Sequence, residues 1–498
     1  MDKSWTITLS PLQTRFKGFV PVWFKNDYPV FGNKGQASDM LNIDLTDPNV
    51  LSPGPKPSDF TGTQPTTEIS TILNFPTSTD PAYSYAAGEN IIYKLLSSSF
   101  TTSLGYPKTL DKASVTGEDI TDIIYYKGNL YGFYNHSGNA GDIFKITGSV
   151  IDPDWGSTVP AGAHTLVYAP HYSILAGDDS VYITNGRYVA KMDDDSTLDD
   201  IALDFWADAQ VSSLTWNNNR VYVAVNRPSN VADTPTSNFN QSGIYRWNGS
   251  STSWEGDPIE VSGRIGALYT KNGTTYVWWQ DDVLSSYSGW NTFNFGYIDG
   301  GKLVELRKCK GYLPNQNQVC ELKGYIAWMS ESYIYLYGAS SSSSTVDLFQ
   351  YAKTIHSDAY ALANPFGSLI ASSYYGGTHY LSRFTGNTKS SSYNTKVYPV
   401  TGAGIKGVID MIQVEFDKLA TGARADFTLT YDKGESTKTL ESIIYSATDS
   451  TTLRKILSEN KSIEVEDFKL DISHTNGSEA NPVKIRSILI KGHYITNN

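Results

Sequence analysis

The chain has 498 residues, with 34 Tyr, 19 Phe, 11 Trp, 41 Gly and 21 Pro. That length supports two or three domains, and aromatics for strands with Gly and Pro for turns favour an all-β protein. A net charge of −12 with only 18% charged residues argues against a phosphate-tracking surface, so no nucleic acid is expected as a partner, and no apolar run is long enough for a membrane span.

Lys3 is not followed by an apolar h-region, so no secretory signal is expected at the start. Residues 1–66 read as an extended arm. Thr6–Leu9 and Gly18–Phe24 are short apolar runs, and Asn42–Pro57 is punctuated by proline, which disfavours helix. An arm this apolar lies on something, either its own domain or a neighbouring subunit.

From 67 to 390 a repeat takes over. Its clearest unit is Val211–Gly249: Val211–Trp216, a turn at Asn217–Asn219, Arg220–Val225, a polar loop, then Gly243–Trp247. These are three Val-, Tyr- and Trp-rich runs separated by turn residues. The third run recurs as Ile92–Leu95, Ile143–Ile146, Tyr188–Lys191, Ile244–Trp247, Gly296–Ile298, Leu348–Tyr351 and Tyr380–Phe384. The period is about 48 residues, within the range of repeat architectures. A second mark, a polar turn leading to Tyr131, Tyr182, Tyr222, Tyr276 or Tyr335, precedes it in five units. Hairpin follows hairpin with links too short for crossover helices. Three or four antiparallel strands per unit point to a β-propeller of about seven blades, one of which borrows a strand from the arm; a solenoid is the alternative.

Beyond Lys389–Ser392 the texture changes. Ile412–Phe416, Phe427–Tyr431 and Phe468–Ile472 alternate apolar and polar residues, as expected of sheets buried on one face. Residues 391–498 are therefore read as a C-terminal β-sandwich, with one or two helical turns at Ser450–Leu457. The fold class is all-β: a seven-bladed propeller, an N-terminal arm and a C-terminal sandwich.

Chemistry is harder to find. Asp193–Asp200 has the opening spacing of a calcium loop, but Leu198 stands where the sharp turn needs Gly. A solvated connecting loop is the preferred reading. His136, His164, His171, His356, His379, His474 and His493 show no metal-ligand spacing, and His164 and His171 are read as structural. Arg187, Arg220, Arg227, Arg246 and Arg264 form no recognisable set. Cys309 and Cys320 are too few for a disulfide framework and are read as packed thiols, the alternative being one bridge. No catalytic residue, metal or cofactor is assigned, and the protein is not expected to be an enzyme. Trp278, Trp279, Trp290, Tyr374 and Tyr375, near loop ends, are the candidate glycan or receptor contacts, with blade packing as the competing role.

Asn42–Leu51 with Pro53–Pro55, Asp111–Asp119, Asn135–Gly138, Asp154–Pro160 and Thr421–Arg424 resemble stretches of a group of uncharacterised tailed-bacteriophage proteins. The resemblance covers most of the chain and implies a virion component, a tail protein built as a propeller with an added β-domain. Its expected partners are other virion subunits, with a homo-oligomer and assembly in the host cytoplasm. A carbohydrate-binding adhesin that recognises the host surface is the alternative, and a secreted propeller glycoside hydrolase the third reading. The resemblance carries no functional residues to this chain.

Overall fold

The computed structural model describes residues 4–9, 37–47, 50–62, 64–74, 83–113, 115–158, 166–194, 197–227, 242–280, 292–338, 347–356, 358–388, 390–395, 398–399, 406–432, 434–444, 452–476 and 482–495. Within them the protein is all-β. The α-helix among them is the single turn Trp155–Thr158.

Seven antiparallel sheets, each built on a path of four strands, follow one another. The fourth illustrates the local logic. Gln210–Asn217, Arg220–Asn226, Ser242–Trp247 and Glu255–Val261 lie side by side in chain order. The first two join through Asn218 and Asn219, both at positive φ (50° and 59°). Asn tolerates that conformation, and a two-residue turn of this kind twists with the strands it joins. Val221, Val223 and Val225 are buried among Tyr182, Val189 and Leu203 of the preceding sheet, so each sheet supplies a wall of its neighbour's core.

The first strands of the sheets meet around one centre. Thr71–Ile72 touches Asp119–Tyr126, which touches Ser173–Leu175, then Gln210–Asn217 and Arg264–Lys271. Val319–Leu322 touches Asp358–Ala363, which returns to Thr71–Ile72. The 3-10 turn Gln316–Gln318 bridges the remaining gap, contacting both Arg264–Lys271 and Asp358–Ala363. This cyclic order is consistent with a β-propeller and not with an open solenoid.

The outer strand of the seventh sheet comes from the other end of the chain. Lys56–Asp59 pairs with Thr378–Thr385 in the register Asp59 to Ser382, Pro57 to Phe384. Pro57 is tolerated because it lies on an edge strand. Asp59 Oδ1 accepts a 2.6 Å hydrogen bond from the fully buried Ser382 hydroxyl.

The sixth sheet departs from the repeat as read in the sequence. Leu348–Tyr351 lies in its fourth strand, Asp347–Lys353, not its third, and Tyr335 lies in its third, Tyr333–Gly338, not its second. The turn at Glu331 follows the second strand, Tyr325–Ser330. All six residues of that strand are buried, so it lacks the alternation by which a strand is recognised.

The C-terminal region forms two further sheets. One orders Ser4–Leu9, Ile485–Tyr494, Gly407–Asp417 and Thr452–Val465; the other runs Ala37–Leu41, Ser390–Thr395, Asp467–Thr475, Arg424–Tyr431 and Ser436–Thr439. Of the stretch Ser450–Leu457 expected to hold helical turns, residues 450 and 451 lie outside the described residues, and the rest is instead the start of the strand Thr452–Val465, which pairs with Gly407–Asp417 from Thr452 to Val465. Pairing with an apolar neighbouring strand outweighs a weak local helix preference. Ile412, Val414, Phe427, Leu470 and Ile488, from both sheets, share one buried cluster.

That cluster also includes Leu336 and Phe349 of the sixth sheet and Leu362 and Phe384 of the seventh. The described arm residues run along this junction. Leu51 and Ile485 exchange main-chain hydrogen bonds of 2.9 and 3.0 Å. Gly54 approaches so closely that a β-carbon there would lie 2.0 Å from the Tyr351 carbonyl oxygen. Of the two expected resting places, the strands Ser4–Leu9, Ala37–Leu41 and Lys56–Asp59 take the first, pairing within their own chain.

Candidate functional site

At the centre of the ring the axial passage is filled by side-chain amides. Gln316 Oε1 accepts 2.8 Å bonds from Ser213 Oγ and the Leu214 amide, and Gln316 Nε2 donates to the Ser173 carbonyl at 3.3 Å. Asn317 Nδ2 donates to the carbonyls of Ser70 and Thr121 at 3.1 and 3.0 Å. Gln318 Nε2 donates to the Ala359 carbonyl at 2.8 Å. One turn thus ties together the inner strands of the first, second, third, fourth and seventh sheets. The turn itself is fixed by the Gln318 amide donating to the Asn315 carbonyl at 3.1 Å and by Gln318 Oε1 accepting from the Asn315 amide at 2.9 Å. Gly266 lets it pack against the fifth sheet, because a β-carbon there would fall 2.3 Å from the Pro314 carbonyl oxygen.

Above the plug lies a cavity of about 760 Å³, walled by the C-terminal ends of the first strands and the turns that follow them. Its floor includes Gln316 and Asn317, its walls Tyr125, Trp216 and Tyr269, and its mouth Lys127 and Leu175. Leu175 is 51% exposed. Trp216 stacks on Tyr182 at an interplanar angle of 16°. Tyr126 Oη lies 2.7 Å from the carbonyl oxygens of Asp179 and Asp193, which fixes the mouth of the second sheet to the third.

Charge in the cavity is internally satisfied. Asp122 is buried between the first three sheets. Its Oδ1 accepts from Thr71 Oγ1 and the Ile123 amide at 2.9 Å each, and its Oδ2 from the Ser173 amide and hydroxyl at 2.6 and 2.7 Å. Burial raises its pKa to about 6 against the opposing pull of those four donors. At the mouth, Lys127 Nζ lies 3.6 Å from Asp179 Oδ2 and donates to the Asp193 carbonyl at 2.9 Å. His171, also fully buried, has its ring nitrogens 3.3 Å from Thr121 Oγ1 and 3.2 Å from the Val167 carbonyl. Burial lowers its pKa to about 4, so it is neutral at pH 7.

The residues singled out from sequence lie elsewhere. Trp278 is fully buried against Phe295 and Trp328, with ring centroids 5.0 and 5.6 Å away. Trp279 is buried in the core between the fourth and fifth sheets. Neither offers a face to a glycan, because a strand buried on both sides uses both sets of side chains for packing. Trp290 and His164 lie outside the described residues. Tyr374 is half-buried beside His379, and Tyr375 is 62% exposed beside His356. The structure does not bring these two tyrosines to Trp278.

In the acidic run, Asp193 Oδ1 is held by Ser180 and Lys191 at 2.8 and 2.9 Å. Asp199 and Asp200 belong to the strand Leu198–Asp204, and Asp195 lies outside the described residues. Arg187, Arg220 and Arg227 pair with Asp204, Glu255 and Asp208, the first pair at the third sheet and the other two on or beside the fourth. Cys309 and Cys320 are buried free thiols on the fifth and sixth sheets. The sequence reading missed Asp122 and the plug. The signal for the plug was present as Asn315–Gln318, four successive amides between a proline and an apolar strand.

No family model matches the chain, and no curated protein matches its sequence. Similar solved structures are β-propeller proteins. They include an arabinoxylan arabinofuranohydrolase from Bacillus subtilis at 9% identity, over 74% of this chain and 94% of that one, TM-score 0.29. An exo-β-1,3-galactanase from Phanerochaete chrysosporium has 7% identity, over 87% and 100%, TM-score 0.32. The extracellular domain of a hybrid two component system from B. thetaiotaomicron has 11% identity, over 88% and 63%, TM-score 0.43. What this chain shares with them is an all-β build of many four-stranded antiparallel sheets.

Proposed function

We propose that this protein is a non-enzymatic structural component of a bacteriophage virion, a tail protein that docks neighbouring subunits. It is built as a seven-bladed β-propeller joined to a C-terminal β-sandwich. The observation that carries the reading is the continuity of the body. The arm closes the last sheet and pairs with both C-terminal sheets, and one buried cluster spans the junction. Such a body bears load and presents fixed surfaces. The resemblance of Asn42–Leu51, Asp111–Asp119 and Asp154–Pro160 to tailed-phage proteins supplies the context. Light scattering with electron microscopy of the full-length protein tests it. A closed homo-oligomer, or a fixed copy number in particles, supports the proposal, and a protein that stays monomeric and is absent from particles refutes it.

A second reading, a carbohydrate-binding adhesin, is favoured by the ring-lined axial cavity. Binding to intact cells, competed by surface glycans, supports it. Loss of that competition removes it.

A further inference from the structure

We infer that the axial cavity is a binding site for a neutral oligosaccharide of two or three sugar units. This rests on the carbohydrate-binding reading and gives it a location other than the loops read from sequence. Size comes first: about 760 Å³ falls inside the roughly 300–1,000 Å³ of ligand pockets. The walls come second. Tyr125, Trp216 and Tyr269 line the cavity and are each only partly buried, which leaves ring surface for the C–H face of a sugar.

The floor comes third. Both amide hydrogens of Asn317 are spent on Ser70 and Thr121, so its Oδ1 remains an acceptor. Gln316 has Oε1 committed twice and one of its two Nε2 hydrogens committed once, so one donor remains. Asn74 Oδ1, also in the lining, is buried without a hydrogen-bond partner among the described residues. A hydroxyl both donates and accepts and suits such a floor. Charge selects the ligand class. Asp122 is saturated by four donors and Lys127 is paired with Asp179, so no free charge is presented for an anion or a cation.

The test is titration of the full-length protein with cellotriose, maltotriose and chitotriose, read by calorimetry and by hydrogen exchange. Saturable binding of at least one is expected, with protection confined to the lining segments 72–74, 122–128, 173–179, 214–217, 268–271 and 316–319. Leu175→Trp, which fills the mouth, should weaken it about tenfold or more, equivalent to about 1.4 kcal/mol. The exchange map of the wild-type protein locates the site even where that variant fails to fold. Binding with protection elsewhere, or an affinity unchanged by Leu175→Trp, overturns the site and leaves the carbohydrate-binding reading standing. Preference for an acidic trisaccharide such as trigalacturonate overturns the neutral class. Absence of saturable binding to any of these saccharides overturns the inference, and absence of glycan-competed cell binding as well overturns the reading beneath it.

Discussion

Replacing Gln316 with Ala tests whether the central turn holds the ring together. The substitution deletes the acceptor for Ser213 Oγ and the Leu214 amide and the donor to the Ser173 carbonyl. Ser213 is fully buried and Leu214 is 1% exposed, so neither donor has solvent of its own. An orphaned buried donor costs about 1–3 kcal/mol. Because Gln316 borders the cavity, water can enter and restore part of that, which leaves a local loss of about 2–3 kcal/mol. At about 1.4 kcal/mol per tenfold, the Leu214 amide should exchange about 30- to 150-fold faster than in the wild type. Protection in the C-terminal strands Asp467–Thr475 and Ile485–Tyr494 should stay unchanged. Native-state hydrogen exchange resolved at residue level is the assay. A Leu214 amide exchanging at its wild-type rate would show that the ring is rigid without the turn, and the reasoning would fall.

Three further outcomes follow from the same structure. Asp59→Ala removes the acceptor of the buried Ser382 hydroxyl and should cost about 1–2 kcal/mol, seen as faster exchange across Thr378–Thr385; protection unchanged there would mean that the arm strand does not secure the seventh sheet. His171 has a folded-state pKa of about 4, below its ordinary 6.5, so its contribution is complete above about pH 6.5 and is lost as pH falls toward 4. The loss amounts to about 3 kcal/mol at 1.36 kcal/mol per unit, and urea unfolding of His171→Gln should lack that part of the acid sensitivity. Asp122, raised to about 6, acts with the opposite sign between pH 4 and 6, so only the difference between wild type and variant isolates the histidine. Cys309 and Cys320 are buried, and burial pushes the Cys309 thiol up to about 12; mass spectrometry should find both unmodified by iodoacetamide in the native protein and both alkylated in urea.

The sequence alone determined the all-β class, the repeated hairpins and the change of texture near residue 390, because these depend on local chemistry. Asn217–Asn219 and Lys127–Gly128 mark turns whichever sheet they join, and Phe427–Tyr431 alternates because one face is buried. The sixth sheet was misread because Tyr325–Ser330 is buried on both faces and carries no period. Ser450–Leu457 was misread because pairing with Gly407–Asp417 is a long-range event. Only the tertiary structure decided the rest. Trp278 and Trp216 are both strand tryptophans in sequence, yet one is sealed between sheets and the other borders the cavity. Gln316 and Asn317 look like ordinary polar residues until ring closure brings segments more than a hundred residues away within hydrogen-bond distance of them, and Asp122 until the neighbouring sheets bring Thr71 and Ser173, each 51 residues away, against it. A cavity at the axis of a ring is made by closure, which no local pattern in the chain encodes.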